Sequence, residues 1–409
     1  MTNDVYYGGM SYDVDRVRAH FPSLNSGIAH FDGPGGSQVP QSVGTAVSDT
    51  LIASIANRGS ITQSERNAEE IVIDFRQAVA DLIDADPKGV VYGRSWTQLT
   101  YDFSRTLAKT WKPGDEIVVT RLDHDSNIRP WVQAAESVGA TVRWADFDIT
   151  TGELSVAAIE KVLSNRTRLV AVAGASNVLG TRPDLIAMAK SVHAVGALLY
   201  ADGVHLTPHT AVSMKEMEAD FYGFSAYKLF GPHCAALTAP PALLESLMND
   251  KLLPSTNAVP ERFEFGTLPY ESMAGVTAAI DFIADLLPNR NGTRRERIVS
   301  SMNALEAYEK DLFDYMEKAI EALPGVTSYG HAAHRTPTLF MNFADLDSAL
   351  VYRHLATKNV NAPASNFYAL EVSRALGLGD AGALRVGLAP YNTHAEVDRL
   401  VAGIAELLV

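Results

Sequence analysis

The sequence predicts an α/β fold, with a large domain built on a mainly parallel sheet and a smaller α+β domain after it. Short β-rich runs alternate with helix-like segments of roughly ten to fifteen residues, the pattern of a parallel sheet with helices on both faces. After about Pro288 this alternation stops. A chain of 409 residues also has room for more than one domain of roughly 150 residues.

The predicted boundaries follow this change of pattern. We expect an N-terminal arm over residues 1–25, a large domain over residues 26–287 and a small domain over residues 288–409. In the large domain, apolar spacing predicts a helix over residues 67–83 and strands over residues 90–92, 116–119, 141–144, 169–172, 198–200 and 219–224. In the small domain we predict helices over residues 293–323, 348–357 and 396–408 and strands over residues 338–341 and 384–388.

The composition is that of an ordinary globular protein, with 47% hydrophobic and 20% charged residues. A formal net charge of -14 disfavours binding to nucleic acid or to an anionic membrane. No run of about 18 apolar residues that could span a membrane is present. The single cysteine, Cys234, excludes an intrachain disulfide and a cysteine-based zinc site. Because the N-terminus also lacks the features of a signal peptide, we expect a cytoplasmic protein.

Two residues at strand ends carry the main functional hypothesis. Asp202 follows the apolar run that ends at Tyr200, and Lys228 follows the run that ends at Phe224. If these strands are neighbours in a parallel sheet, both side chains face the crevice where open α/β sheets bind ligands. A lysine that forms an imine and an acid that pairs with a ring nitrogen are what pyridoxal phosphate requires. For each residue alone, a turn-forming acid or a solvated surface charge is the competing interpretation.

The segment after the strand at residues 90–92 is a candidate phosphate site. Ser95, Trp96 and Thr97 open a helix there, and the free backbone N–H groups of a helix start, together with its positive dipole end, attract anions. A hydroxyl from Ser95 adds a further donor. A simple helix N-cap is the alternative interpretation.

Four more residues are candidates for the same crevice. His124, at the end of another strand, can stack flat on a conjugated ring, while Asn177 and His205 can hydrogen-bond a ring hydroxyl. For these three, an ordinary loop or turn residue is the alternative. Arg385 lies in an otherwise apolar strand, where a buried guanidinium needs a planar anionic partner such as a substrate carboxylate or, alternatively, a structural ion pair.

Other classes of site are less well supported. His205 and His209 have i, i+4 spacing, but Pro208 disfavours a helix between them and no third ligand is evident, so no metal site is predicted. The G-x-S-x-G motif of serine hydrolases is absent. The glycine cluster at residues 33–36 leaves a nicotinamide-dependent dehydrogenase as an alternative, although its spacing is not G-x-G-x-x-G.

Three motifs together resemble the class V aminotransferases of pyridoxal-phosphate fold type I, and more narrowly the cysteine desulfurase-like proteins. They are A-D-G-V-H at residues 201–205, F-S-A-Y-K-L-F-G-P at residues 224–232, and Arg385 followed by Y-N-T-H at residues 391–394. The resemblance extends from about Phe31 to the C-terminus. It implies a mainly parallel seven-stranded sheet in the large domain, a smaller α+β C-terminal domain, and pyridoxal 5'-phosphate as the cofactor.

The resemblance also implies a role for each candidate residue. Lys228 binds the cofactor aldehyde and shuttles a proton, Asp202 pairs with the ring nitrogen, and His124 stacks on the ring. The ring oxygen lies by Asn177 and His205, and the substrate α-carboxylate is bound by Arg385. The phosphate is held by Ser95, Trp96, Ser225 and Tyr227. Gly266 and Thr267 match a segment that reaches the phosphate of the neighbouring subunit, which implies a homodimer with shared active sites.

One departure from the family affects the expected reaction. Desulfurases use a loop cysteine upstream of the carboxylate arginine, but residues 361–380 contain none, and Cys234 is interpreted as a buried apolar residue. We therefore expect a lyase or transferase that converts a small amino acid, through an external aldimine and a Cα carbanion, by C–S or other β-bond cleavage. An aminotransferase, an epimerase and a pyridoxal-phosphate carrier without turnover remain alternatives.

Overall fold

A seven-stranded sheet forms the centre of the large domain in the computed structural model, which describes residues 6–7, 10–288 and 291–408. The strand order is Val90–Gly93, Ala235–Thr238, Phe221–Ser225, Leu198–Asp202, Thr167–Ala173, Glu116–Thr120 and Thr141–Ala145. All neighbouring pairs are parallel except the two formed by Ala235–Thr238. The mainly parallel sheet is thus confirmed. The antiparallel strand was not predicted, because its four residues include two alanines and no β-branched residue except Thr238.

Both faces of this sheet are buried, except at the partly exposed edge strand Thr141–Ala145. Successive residues of a strand alternate between two hydrophobic clusters, with Val118 and Val170 in one and Ile117 and Leu169 in the other. Such strands lack a solvated face and so read as continuous apolar runs. The helices around the sheet are Gln41–Ile52, Gln63–Ile83, Trp96–Ala108, Arg129–Ser137, Val156–Glu160, Leu185–Ala194, Met214–Met217, Pro241–Ser246 and Tyr270–Ala284. Within the described ranges, no helix is both long and apolar enough to span a membrane.

The start of the helix predicted over residues 67–83 differs from the structure by about one turn. The helix predicted from residue 67 begins at Gln63, because Thr62 and Glu65 form a reciprocal capping box. The same device, from Thr293 and Glu296, begins the long helix of the small domain. Local side-chain chemistry therefore sets these helix starts.

A four-stranded antiparallel sheet forms the small domain. Its strand order is Val326–Tyr329, Thr338–Phe343, Ala383–Gly387 and Ala364–Ser365. The helices that pack with it are Arg294–Glu321, Ser348–Thr357, Leu370–Ala375 and His394–Ala405. The predicted α+β character of this part is confirmed, whereas the boundaries at residues 25 and 287 stay predictions.

The N-terminal segment, which includes the short helix Val14–Arg18, packs against the small domain. Ala29–His30 pairs in parallel with Val360–Asn361, and the Gly387 N–H donates to the Phe31 carbonyl at 2.9 Å. These contacts place the glycine cluster, in the short 3-10 turn Gly33–Gly35, beside the strand that carries Arg385.

Candidate active site

Asp202 and Lys228 lie at the same edge of the large sheet. Asp202 is the last residue of its strand and pairs in parallel register with Gly223 of the neighbouring strand, which leads into the 3-10 turn Ala226–Lys228. Their exposed fractions are only 5% and 8%, and both side chains line one cavity. Neighbouring parallel strands therefore bring the two residues together, as the strand pattern predicts.

Two N–H donors hold the Asp202 carboxylate. The indole Nε1 of Trp96 donates to Oδ2 at 2.7 Å and the Val204 backbone N–H donates to Oδ1 at 2.9 Å. Burial raises the pKa of Asp202 to about 6, while these donors and the nearby Lys228 amine favour its charged form. Sequence reasoning assigned Trp96 only a backbone donor near the phosphate, so this side-chain bond was missed.

A glycine makes room for that indole. A Cβ atom on Gly223 would lie 2.1 Å from the Trp96 ring, so any larger residue there displaces the tryptophan. Gly223 pairs directly with Asp202, so the space that its missing side chain leaves for the indole lies beside the Asp202 carboxylate. The glycine in the strand thus serves close side-chain approach.

The environment of Lys228 favours a neutral amine. Burial and, to a smaller extent, the positive charge of Arg385 lower the pKa of Lys228 to about 7, against the opposing effect of Asp202. A lysine in such an environment has a large neutral fraction near pH 7, which a nucleophile or a general base requires.

His124 presents an uncharged ring to the cavity. Its Nδ1 accepts a hydrogen bond from the Ser126 backbone N–H at 3.1 Å, which places a lone pair on that nitrogen. Burial, with smaller contributions from the positive charges of Lys228 and Arg385, lowers the pKa of His124 to about 3. The ring is therefore neutral and available for stacking. Its centre lies 5.5 Å from the centre of the Tyr368 ring.

The predicted anion site is a true helix start. Ser95 is the N-cap of the helix Trp96–Ala108, and its hydroxyl accepts from the Gln98 N–H at 3.1 Å. Ser225 and Tyr227 line the same cavity as Ser95, and the Tyr227 ring stacks on that of His233. These groups together supply hydroxyl and helix-end donors for a phosphate.

Two polar side chains from other loops complete the cavity. The Nδ2 of Asn177 donates to the Phe367 carbonyl at 3.0 Å, but its Oδ1 is buried without a partner in the part of the chain that is described. His205 shares a hydrogen bond of 3.0 Å between Nε2 and the Thr338 hydroxyl. A buried amide oxygen without a donor is costly, so a ligand hydroxyl is the group expected to satisfy it.

The donor set fits pyridoxal phosphate. An acid for the ring nitrogen, an amine for the aldehyde, a neutral ring for stacking, a free amide oxygen for the ring hydroxyl and a helix start for the phosphate all face one cavity. Thr267 is the exception, since it lines a different cavity with Arg94 and Phe265. The single chain therefore leaves Thr267 apart from the other candidates.

Arg385 is buried beside the same cavity without a carboxylate partner. Its exposed fraction is 3%, and within residues 10–288 and 291–408 no carboxylate oxygen lies within 4.0 Å of the guanidinium. Instead, its Nη1 donates to the Asn177 carbonyl at 3.1 Å and its Cζ lies 3.7 Å from the centre of the Phe367 ring. Burial lowers the pKa of Arg385 to about 9. Arg385 and Lys228 both line an open cavity of about 610 Å³.

Sequence reasoning missed the loop that covers this cavity. Phe367 and Tyr368 line its wall, and both have left-handed backbone angles, φ 52° and 57°. Neither residue belongs to a motif. Both lie more than a hundred residues along the chain from Asp202 and Lys228, so no local sequence pattern connects them to the cavity. Asp123 was also missed: burial raises its pKa to about 8, and it accepts from the Asn127 amide at 2.6 Å.

The chain is similar to known proteins over nearly its whole length. The chain matches the family Aminotransferase class-V over residues 29–400. It is 38% identical to an uncharacterized protein of Mycobacterium tuberculosis, with 97% of this chain and 100% of that protein covered. It is 30% identical to an aminotransferase-like protein of Gibberella zeae, over 97% and 99% of the two chains. A cysteine desulfurase of Dickeya dadantii is 29% identical over 96% of each chain.

The fold agrees as well. The crystal structure of the cysteine desulfurase CsdA from Escherichia coli matches with a TM-score of 0.86 at 25% identity, covering 97% of this chain and 100% of that one. The predicted pyridoxal-phosphate fold type I is thereby confirmed. Members of the matched family use pyridoxal phosphate, which removes the basis for the nicotinamide alternative. The chain belongs to the class-V aminotransferase family.

Proposed function

We propose that this protein is a pyridoxal-phosphate enzyme that cleaves a β-substituent, such as sulfur, from a small amino acid. One observation carries the proposal: Lys228, whose pKa is lowered to about 7, and Arg385, which lacks a carboxylate partner among the described residues, line the same cavity. An amino acid supplies both an α-proton for the amine and a carboxylate for the guanidinium.

Each of three residues of the chain has a separate role in this reaction. Bound pyridoxal phosphate supplies an electrophilic aldehyde and an electron-withdrawing ring. Arg385 orients the substrate carboxylate, so that the Cα–H bond points toward Lys228. Lys228, neutral at its Nζ, accepts the α-proton. Asp202 keeps its charge through the Trp96 and Val204 donors, and a charged acid at this position favours a protonated ring nitrogen.

The products distinguish this reaction from persulfide formation. Cys234 is 1% exposed, and burial raises the pKa of its thiol to about 12, so it is unsuited to accept sulfur. Without an acceptor thiol, L-cysteine and water give pyruvate, ammonia and hydrogen sulfide. Transfer of sulfur to a cysteine thiol would leave alanine instead.

The test is a panel of amino acids assayed with and without a 2-oxo acid. L-Cysteine and other substrates with a β-leaving group should yield pyruvate and the released substituent without a 2-oxo acid. A Lys228→Ala variant, saturated with cofactor, should lose turnover by at least about 10²-fold. Alanine as the main product, or turnover that survives in Lys228→Ala, would refute the proposal.

The same panel tests the alternatives. Transamination, suggested by the aminotransferase-like relative from Gibberella zeae, requires the 2-oxo acid and yields a new amino acid. Epimerisation exchanges the α-proton with solvent deuterium and inverts the substrate without releasing any group. A carrier without turnover would be inert with every amino acid.

We also propose a homodimer in which Thr267 contacts the phosphate bound by the partner subunit. Its place in a separate cavity, away from Ser95 and Ser225, supports this arrangement. Co-expression of Lys228→Ala chains with Thr267→Asp chains tests it. In a mixed dimer the intact Lys228 then meets an intact Thr267 only if Thr267 acts across the interface, so activity should return. Two inactive parents with no recovery would contradict sharing.

A cytoplasmic location forms part of the proposal. It rests on the single cysteine, which is buried as a free thiol. Cell fractionation with detection of the native protein tests it, and recovery in a membrane or extracellular fraction would overturn it.

A further inference from the structure

The segment 366–369 of the small domain meets the large domain at two hydrogen bonds. The carbonyl of Phe367 accepts from the Asn177 side chain at 3.0 Å, and the carbonyl of Tyr368 accepts from the Asp125 backbone N–H at 2.7 Å. Both loops that it meets carry candidate cofactor residues. The left-handed backbone at Phe367 and Tyr368 turns these carbonyls toward the large domain, a conformation that L side chains disfavour.

Three groups form a closed arrangement around the carboxylate-binding arginine. Arg385 donates from Nη1 to the Asn177 carbonyl at 3.1 Å, Asn177 donates from Nδ2 to the Phe367 carbonyl, and the Phe367 ring faces the guanidinium at 3.7 Å. A guanidinium over an aromatic face is attracted by the ring quadrupole, and the attraction grows when water is excluded.

The aromatic contact is itself supported from behind. Phe340 is the direct cross-strand neighbour of Arg385, and its ring makes an edge contact with that of Phe367 at 6.4 Å. On another side, a Cβ atom added at Gly35 would lie 3.2 Å from Nη2 of Arg385. The guanidinium is thus confined by rings and backbone, while its Nε makes no hydrogen bond with any described residue.

We propose that Phe367 is a positioning residue that holds the Arg385 guanidinium in place for the substrate carboxylate. The proposal rests on the proposed function, in which Arg385 binds that carboxylate. A carboxylate counterion in the same place would compete with the substrate for the guanidinium, whereas an uncharged ring orients the group and leaves its charge free.

The experiment compares L-alanine with ethylamine, which has the amine but lacks the carboxylate. Binding of each to the holoenzyme is followed by the change in cofactor absorbance. The wild-type protein should prefer L-alanine, and Phe367→Leu and Phe367→Met should each reduce this preference by about five- to tenfold. Phe367→Tyr, which keeps the ring, should retain it to within about twofold. Cofactor content and thermal midpoint should stay unchanged in all three variants.

Two further variants separate the possible failures. Arg385→Lys should reduce the preference at least as strongly as Phe367→Leu, whereas Tyr352→Leu, an exposed aromatic on the helix Ser348–Thr357, should leave it unchanged. If Arg385→Lys loses the preference but both Phe367 truncations keep it, the role of Phe367 is refuted and the proposed function stands. If the wild-type protein shows no preference for L-alanine, the carboxylate role of Arg385 fails, and the proposal for Phe367 fails with it.

Discussion

The indole Nε1 of Trp96 donates a hydrogen bond of 2.7 Å to Oδ2 of Asp202, although 106 positions separate the two residues. Trp96 begins the helix whose start is the candidate phosphate site, and Asp202 ends a central strand. Trp96 therefore links the two ends of the cavity proposed to hold the cofactor. Its backbone lies at the helix start that is the candidate phosphate site, and its side chain stabilises the charge of the acid.

Replacing this donor should shift the acid side of the pH–rate profile. In Trp96→Phe the carboxylate loses a donor to its charged form, so the pKa of Asp202 rises above its value of about 6 and the acid is protonated at higher pH. We expect the acid limb of kcat/KM to move up by about one pH unit, since a hydrogen bond to a charged group is worth about 1.5–3 kcal/mol. Steady-state profiles between pH 5 and 9 measure this.

A second buried tryptophan supplies the control for that change. Trp111→Phe removes an indole from the same hydrophobic cluster without touching Asp202, so its acid limb should match the wild type. If Trp96→Phe lowers activity equally at every pH, the indole acts only by packing.

Cofactor uptake by the apoenzyme should depend on the charge of Lys228. Because the pKa of Lys228 is lowered to about 7, the amine is protonated below this pH and neutral above it, so the rate of covalent uptake should rise as pH increases through 7. Arg385→Gln removes a positive charge that lowers this pKa, and should therefore move the rise to higher pH. Stopped-flow absorbance with pyridoxal phosphate measures both.

Arg374→Gln provides the matched arginine control, because Arg374 is exposed and paired with Asp380 at 2.7 Å. Its uptake profile should overlay that of the wild type. Because the cofactor itself titrates in the same way in every experiment, a comparison between the variants cancels that contribution. A midpoint that does not differ between Arg385→Gln and Arg374→Gln would show that Arg385 has no influence on the amine.

The buried pair of His209 and Glu309 should contribute to the stability of the folded protein. His209 Nδ1 and Glu309 Oε2 lie 2.8 Å apart with almost no exposure, and burial raises the pKa of Glu309. His209→Ala leaves a buried carboxyl without its partner, which should lower the free energy of unfolding by about 3–5 kcal/mol. Urea denaturation measures the loss. His193→Ala, at a partly exposed pair with Asp220, should cost no more than about 1 kcal/mol.

The single thiol should be inert in the folded protein. Burial raises the pKa of Cys234 to about 12, so a disulfide reagent should label it in urea but not under native conditions. Cys234→Ala should retain turnover to within about twofold, because the thiol makes no contact with the cavity. Rapid native labelling, or loss of C–S cleavage in Cys234→Ala, would assign the thiol a chemical role.

The sequence by itself determined which residues reach the edge of the sheet. Apolar runs that end at Tyr200 and Phe224 predict buried parallel strands, and the carboxyl ends of such strands share one edge. With the observed strand order, Asp202, Lys228 and His124 therefore lie near one another. The helix start at Gln63 is also set locally, by the capping box of Thr62 and Glu65, although apolar spacing alone placed it at residue 67.

Only the tertiary structure decided what surrounds those groups. The indole of Trp96 reaches Asp202 because Gly223 leaves space beside it, and Arg385 faces Phe367 rather than a carboxylate because a loop of the small domain folds over the strand. Such contacts join distant segments, and hydrophobic period and turn chemistry describe only neighbouring residues. The pKa values of Lys228 and Asp202 depend on those contacts and on burial, so the chemistry of the site follows from packing that no local pattern contains.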